Sequence, residues 1–145
     1  MRRIVLLAIA ATLFAGVVSC ASQEPVISDT MTPEDYFQLA QERVEKKDYA
    51  AAIAYYYQCK EKFPDNLEKN TWASYEIAFL YHKMNDDAKA LVLLDELLSL
   101  YTQDKEQVLP KAPKLLAERV KANILNKGKN DQHTEQPAAS AGGAH

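Results

Sequence analysis

The stretch LAQERVEKKDYAAAIAYYYQCKEKFP, residues 39–64, decides the fold of this 145-residue chain. It lacks glycine, and its apolar residues recur at intervals of three and four, which is the spacing of one helical face. The stretch IAFLYHKMNDDAKALVLL, residues 77–94, has a similar order of small, aromatic and acidic residues. Two pairs of alanines share an offset of 38 positions: Ala40 with Ala78, and Ala52 with Ala90. The pattern predicts a helical hairpin that occurs twice.

Capping residues and prolines mark the ends of the helices. Thr32 and Pro33 supply an N-cap and a first-turn proline, and the acids that follow face the positive end of the helix dipole. Asp48 and Asp86 are the expected N-caps of the second and fourth helices. The sequence predicts an all-α fold, an antiparallel array of about five helices without a sheet. The predicted helices are residues 33–46, 49–62, 70–83, 87–101 and 112–125.

The two hairpins resemble tetratricopeptide repeats, which place small, aromatic and proline residues at fixed offsets within about 34 residues. The matching positions are Leu39-Ala40, Ala52-Ile53, Tyr56, Cys59 and Pro64, then Ile77-Ala78, Tyr81, Ala90-Leu91 and Leu94. Arg43 and Thr102 depart from the aromatic and proline residues that are usual in the family. The resemblance covers about residues 33–102 and implies that the alanines lie where paired helices approach closely.

A C-terminal cap is expected because two repeats are fewer than the three or so that usually bury a continuous core. The fifth predicted helix carries a stripe of Leu116, Val120, Asn123 and Ile124 that would cover the end of the stack. Residues 33–125 would then form one helical domain. Residues 126–145 contain three of the four glycines and little apolar surface, so a disordered tail is expected there.

A candidate partner groove also follows from the resemblance, because the first helix of each repeat lines a concave surface that binds peptide segments. Carried over to this chain, the groove comprises Phe37, Gln41, Trp72, Tyr75, Phe79 and His82. Trp72, Tyr75 and Phe79 share one helical face. Two interpretations of this stripe stay open. Either it is core beneath the fifth helix, or Trp72 and Phe79 are partly open and anchor a partner.

The first nineteen residues have the order of an export signal. Arg2 and Arg3 precede an apolar run, residues 4–18. At about 1.5 Å per residue this run spans about 22 Å, short of the roughly 30 Å hydrocarbon core, so cleavage is expected rather than a permanent span. The tetrapeptide Val17-Val18-Ser19-Cys20 resembles the lipobox of bacterial lipoproteins. An ordinary secretory signal, cleaved near Ala21, is the alternative.

The lipobox resemblance implies that Cys20 becomes the first mature residue and carries diacylglyceryl and acyl chains such as palmitate. No other cofactor is expected. Dual acylation gives stable membrane anchoring, and residues 20–32 would form the tether. Ala21 replaces the aspartate that retains many lipoproteins in the inner membrane, so the outer membrane is favoured. The protein would then lie in the bacterial envelope, at the periplasmic face or on the surface.

Several classes of function are disfavoured by the composition. Without Arg2 and Arg3, 15 basic residues remain against 20 acidic ones, a formal charge of −5 that argues against nucleic-acid binding. The three histidines are scattered, so no metal site is expected. No glycine lies between Val17 and Lys127 to build a phosphate loop or a nucleophile elbow, which argues against an enzyme.

Two functional hypotheses follow. The first is a lipid-anchored adaptor or assembly factor that binds another envelope protein or a peptide segment, by resemblance to tetratricopeptide lipoproteins of outer-membrane assembly. The second is a surface-exposed ligand binder or adhesin. Protease treatment of intact cells separates them, since only the second requires exposure outside the cell.

Overall fold

A computed structural model describes residues 30–134, with side chains described through Lys129. This part of the chain consists of five α-helices and contains no strand, which confirms the all-α prediction. The helices are α1 (Pro33–Glu45), α2 (Tyr49–Lys62), α3 (Leu67–Lys83), α4 (Asp87–Gln103) and α5 (Lys111–Thr134). The export signal, Cys20 and residues 135–145 lie outside the described residues, as does the tether up to residue 29.

The predicted N-caps are present. Thr32 forms a capping box with Asp35: the Asp35 N–H donates to Thr32 Oγ1 at 3.3 Å, and the Thr32 N–H donates to Asp35 Oδ2 at 2.7 Å. The Asp48 and Asp86 carboxylates accept from the N–H groups of Ala51 and Lys89, at 3.2 and 3.1 Å. Each cap satisfies a backbone donor that has no partner within the helix.

Helix α3 begins three residues before the predicted start at Asn70. Asn66 is the N-cap, and its side chain accepts from the Lys69 N–H at 3.0 Å. Asn70 instead lies in the second turn, where its Nδ2 donates to the carbonyl oxygens of Phe63 and Pro64, at 2.9 and 2.8 Å. Either asparagine is a good cap, so sequence alone did not distinguish the two starts.

The core divides into two clusters that share α3. The first joins α1, α2 and α3 around Tyr36, Tyr56 and Ile77, and the second joins α3, α4 and α5 around Tyr75, Leu94 and Val120. The four alanines that were aligned from the sequence are fully buried within these clusters. Their small side chains allow the paired helices to approach closely, as the repeat pattern predicts.

Helix α5 packs on α4 and α3 and so caps the stack, as expected. Val120 and Ile124 of the predicted stripe are buried, whereas Asn123 is exposed. Pro113 and Ala117, which were not in the predicted stripe, are buried as well. The helix also continues nine residues beyond Leu125, so residues 126–134 are helical rather than part of a disordered tail. Low apolar content did not end the helix, because propagation adds one hydrogen bond for each residue that it fixes.

Candidate interaction surface

The first helices of the two hairpins, α1 and α3, are joined at one end by a lysine. Lys69 Nζ on α3 lies 3.1 Å from Glu34 Oε1 and 5.0 Å from the ring centroid of Phe37, both on α1. The lysine therefore forms an ion pair and a cation–π contact at the same time. Hydrogen bonding to this ammonium lowers the pKa of the Glu34 carboxyl. Lys69 was not among the sequence-predicted groove residues, although it lies one helical turn before Trp72.

Four of the predicted groove residues form a continuous row of rings along α3. Trp72 meets Tyr75 edge to face at 6.2 Å between centroids, and Tyr75 stacks on Phe79 at 5.9 Å. Phe79 is followed by the His82 ring at 6.4 Å. These separations are typical of aromatic pairs that attract beyond simple burial. We call Trp72, Tyr75, Phe79 and His82 the aromatic row.

The structure divides the row between core and surface. Tyr75 is 7% exposed and lies in the second core cluster with Ala117, Val120 and Ile124 of α5. Trp72 and Phe79 are half-buried at the edges of the same cluster. Helix α5 thus covers the middle of the row and leaves its two large outer rings partly accessible. Tyr75 is a core residue, and Trp72 and Phe79 could contact a partner.

The His82 side chain pairs with a residue of its own hairpin, α3–α4. Its Nδ1 lies 2.5 Å from Asp87 Oδ1, at the first residue of α4. The pair joins the end of one helix to the start of the next, across a turn at Asn85 and Asp86. His82 therefore helps to fix the hairpin, and only its partly exposed ring edge is open to a ligand.

The two predicted residues on α1 have different environments. Phe37 packs on the first core cluster, edge to face with Tyr56 at 5.0 Å between centroids. Gln41, one turn later on the same face, is exposed. The Tyr56 hydroxyl is buried, and the Gln41 side chain lies close to it without a hydrogen bond of good geometry. Burial and the nearby Glu76 carboxylate raise the pKa of this phenol.

Glu76 is a candidate that the sequence analysis missed. It is partly buried on α3, and no hydrogen bond or ion pair joins its carboxylate to another described residue. Burial raises the pKa of this carboxyl. Its charge also raises the pKa of both Tyr56 and Tyr75, so it lies close to the two phenols. Glu76 lies four residues after Trp72 and three before Phe79, and this helical spacing could have placed it on the same face of α3.

The chemistry of this surface is that of binding. It combines half-buried aromatic rings, an exposed amide at Gln41 and an unpaired carboxylate at Glu76, with Lys69 at one end. Residues 30–134 include no group of three or more His, Cys, Asp and Glu residues placed to hold a metal ion. Within the same range, no helix combines the length and the apolar character needed to cross a bilayer.

Comparison with known families supports the repeat pattern. Residues 43–113 match the family model of the tetratricopeptide repeat. The match supports the resemblance of this segment to tetratricopeptide repeats. The matched segment begins in the last turn of α1, includes α2, α3 and α4, and ends in the first turn of α5. The whole aromatic row therefore lies within the repeat segment. Neither the curated proteins nor the solved structures give a match to the chain.

Proposed function

We propose that this protein is a lipid-anchored interaction module, an adaptor or assembly factor that binds another protein of a bacterial envelope complex. The observation that carries the proposal is the tetratricopeptide-repeat segment, since such repeats generally mediate protein–protein interaction and are typically non-catalytic scaffolds. The partner would bind the face formed by α1 and α3, where Trp72 and Phe79 are partly accessible beside Glu76. Large aromatic side chains of this kind carry much of the binding energy at protein interfaces.

Crosslinking in native membranes tests the binding proposal. The full-length protein, tagged at its C-terminus, is crosslinked in intact cells and its partner is identified by mass spectrometry. Gln41→Arg places a long charged side chain at an exposed position of the proposed face, so it should strongly reduce recovery of that partner; a circular dichroism melt establishes that the variant is folded. The control Glu61→Lys changes an exposed residue of α2 and should leave recovery unchanged. Equal recovery with both variants would contradict the proposed face.

Replacement of Cys20 tests the anchor, which rests on the lipobox resemblance of Val17 to Cys20. Cys20→Ser should leave the precursor uncleaved or move the protein into the aqueous phase, with loss of the lipid mass from the N-terminal peptide. The conservative change Ser19→Ala keeps a small residue before the cysteine and should preserve lipidation. Unchanged detergent partitioning and N-terminal mass in Cys20→Ser would overturn the anchor. Degradation by protease added to intact cells would favour the surface-exposed ligand binder instead.

A further inference from the structure

A second groove lies on the side of α3 that faces away from the aromatic row. Two adjoining cavities, of about 270 and 310 Å³, share Lys60, Ser74 and Leu100. Helices α2 and α4 form the walls, and Ser74 and Ile77 of α3 line the floor of the first cavity. The second cavity continues toward the α4–α5 connection at Val108. We call this surface the α2/α4 groove.

Exposed apolar side chains are concentrated in this groove. Eight large hydrophobic residues between residues 30 and 129 are exposed, and four of them line the groove, with 43% to 61% of their surface accessible. These four are Tyr57, Leu67, Leu100 and Val108. Single exposed apolar residues are ordinary, but a contiguous set around a cavity is typical of an interaction site.

The polar centre of the groove is an ammonium group with spare donors. Lys60 Nζ donates to Ser74 Oγ at 2.6 Å, and the Ser74 hydroxyl donates to the Asn70 carbonyl oxygen at 2.9 Å. No carboxylate among the described residues forms an ion pair with Lys60, although the charge of Glu96 acts on it. Burial lowers the pKa of Lys60, so a carboxylate brought into the groove would be favoured. Among the described residues, Ser74 engages one of its three donors.

The acidic residues around the groove do not occupy this position. Asp104 lines the second cavity, but its two carboxylate oxygens accept from the N–H groups of Val108 and Leu109, each at 3.0 Å. Glu96 lines the first cavity and is exposed. Neither carboxylate forms an ion pair with Lys60, so its ammonium is open to a carboxylate from a partner.

We infer that the α2/α4 groove binds an amphipathic helix of another protein, whose apolar face carries a carboxylate that pairs with Lys60. The walls are themselves helices, and Leu93, Leu97 and Leu100 of α4 line the groove at spacings of four and three. From Leu93 to Gln103 the wall is about 15 Å long at about 1.5 Å per residue, which accommodates roughly three turns of a docked helix. Apolar residues of the docked helix, spaced three and four apart, would fill both cavities, as in other helix-in-groove complexes. This site is separate from the α1/α3 face.

An unbiased peptide selection tests the inference. The full-length protein, purified in detergent, is presented to a phage library of random 16-residue peptides. Enriched sequences should share apolar residues at spacings of three and four with an aspartate or glutamate between them. A synthetic peptide with the consensus is then titrated by fluorescence anisotropy against wild type and variants. Lys60→Met and Leu100→Ser should each weaken binding about tenfold or more, the loss expected for one hydrogen bond to a charged group or one anchor side chain.

Matched controls separate the groove from the rest of the surface. Lys46→Met and Leu115→Ser remove an exposed lysine and an exposed leucine outside the groove, and both should bind the peptide as wild type does. Circular dichroism melts establish that every variant is folded. The inference fails if no peptide is enriched, if the consensus lacks the acid, or if groove and control variants bind equally. It also fails if sedimentation shows a dimer that Leu100→Ser abolishes, because the groove would then hold a second copy.

Discussion

Lys47 and Asn85 hold the same left-handed backbone conformation in equivalent turns, with φ angles of 60° and 62°. Asn85 lies 38 positions after Lys47, the same offset that separates the paired alanines. The hydrogen bonds repeat as well. The Asp48 N–H donates to the Arg43 carbonyl and the Asp86 N–H donates to the Tyr81 carbonyl, both at 2.9 Å. The two hairpins thus end their first helix in the same Schellman-type turn.

Lysine is less suited than asparagine to this left-handed conformation. Replacing Lys47 should therefore stabilise the protein. Asparagine and glycine adopt positive φ readily, whereas other residues lose roughly 1–2 kcal/mol there. Lys47→Asn and Lys47→Gly should therefore raise the free energy of unfolding by roughly 0.5–1 kcal/mol, with glycine partly offset by its greater freedom in the unfolded chain. Urea denaturation measures the change. The control Ala50→Gly, in the first turn of α2, should destabilise, and a loss of stability in Lys47→Asn would contradict the explanation.

The buried alanines give a second prediction. Ala52 and Ala78 are fully buried between closely packed helices, so leucine at either position forces extra methylenes into filled space. Ala52→Leu and Ala78→Leu should each lower the free energy of unfolding by roughly 1–3 kcal/mol. The control Ala122→Leu changes an exposed position of α5 and should leave it nearly unchanged. Unchanged melting of both core variants would contradict the helix-packing role of the alanines.

The sequence predicts those features of the fold that depend on the local pattern of residues. Caps at Asp48 and Asp86, and close packing at the alanines, follow from residue type and spacing within one hairpin. The division of the aromatic row into core and surface residues does not follow from spacing within one hairpin. Tyr75 is a core residue because α5 packs over it and places Val120 in the same cluster. Val120 lies 45 positions later in the sequence, so the periodicity within one helix cannot predict this packing. The α2/α4 groove was missed for the same reason, since it depends on the space between helices.

Truncation separates the cap from the end of α5. A chain ending at Lys129 keeps Ala117, Val120 and Ile124 and should melt as the full-length protein does. A chain ending at Leu109 loses all three and exposes Tyr75, Leu94 and Leu97 of the second cluster, so it should unfold or aggregate. Circular dichroism and light scattering measure the two outcomes. A monomeric, cooperatively melting chain that ends at Leu109 would refute the capping role of α5.

Glu76 gives a pH-dependent prediction. Burial raises its pKa above the usual 4.5, so the native state retains this proton to higher pH than the unfolded chain. Stability should therefore fall as pH rises through the range just above 4.5, because the native state must then hold a buried charge. Glu76→Gln should be more stable than wild type at pH 7, and the difference should shrink toward pH 4. Urea melts at both pH values measure it, with the exposed Glu61→Gln as the control. If the stability difference between Glu76→Gln and wild type is the same at both pH values, titration of Glu76 is excluded as its cause.

The outer rings of the aromatic row provide the last prediction. Trp72 and Phe79 are half-buried, so their replacement by alanine should lower stability by less than the roughly 3–5 kcal/mol expected for a fully buried aromatic residue. Tyr75→Ala, at the buried centre of the row, should show the full loss and serves as the core control. The stability differences are measured by urea denaturation of all three single variants.

If the α1/α3 face binds the partner recovered by crosslinking, Trp72→Ala with Phe79→Ala should weaken that complex by about 2 kcal/mol or more, roughly thirtyfold in affinity. Titration at a temperature well below the melting point of the double variant separates this effect from unfolding. The control Leu115→Ala removes an exposed apolar side chain of α5 outside the row and should bind normally. A folded double variant with wild-type affinity would exclude the aromatic row as the binding site.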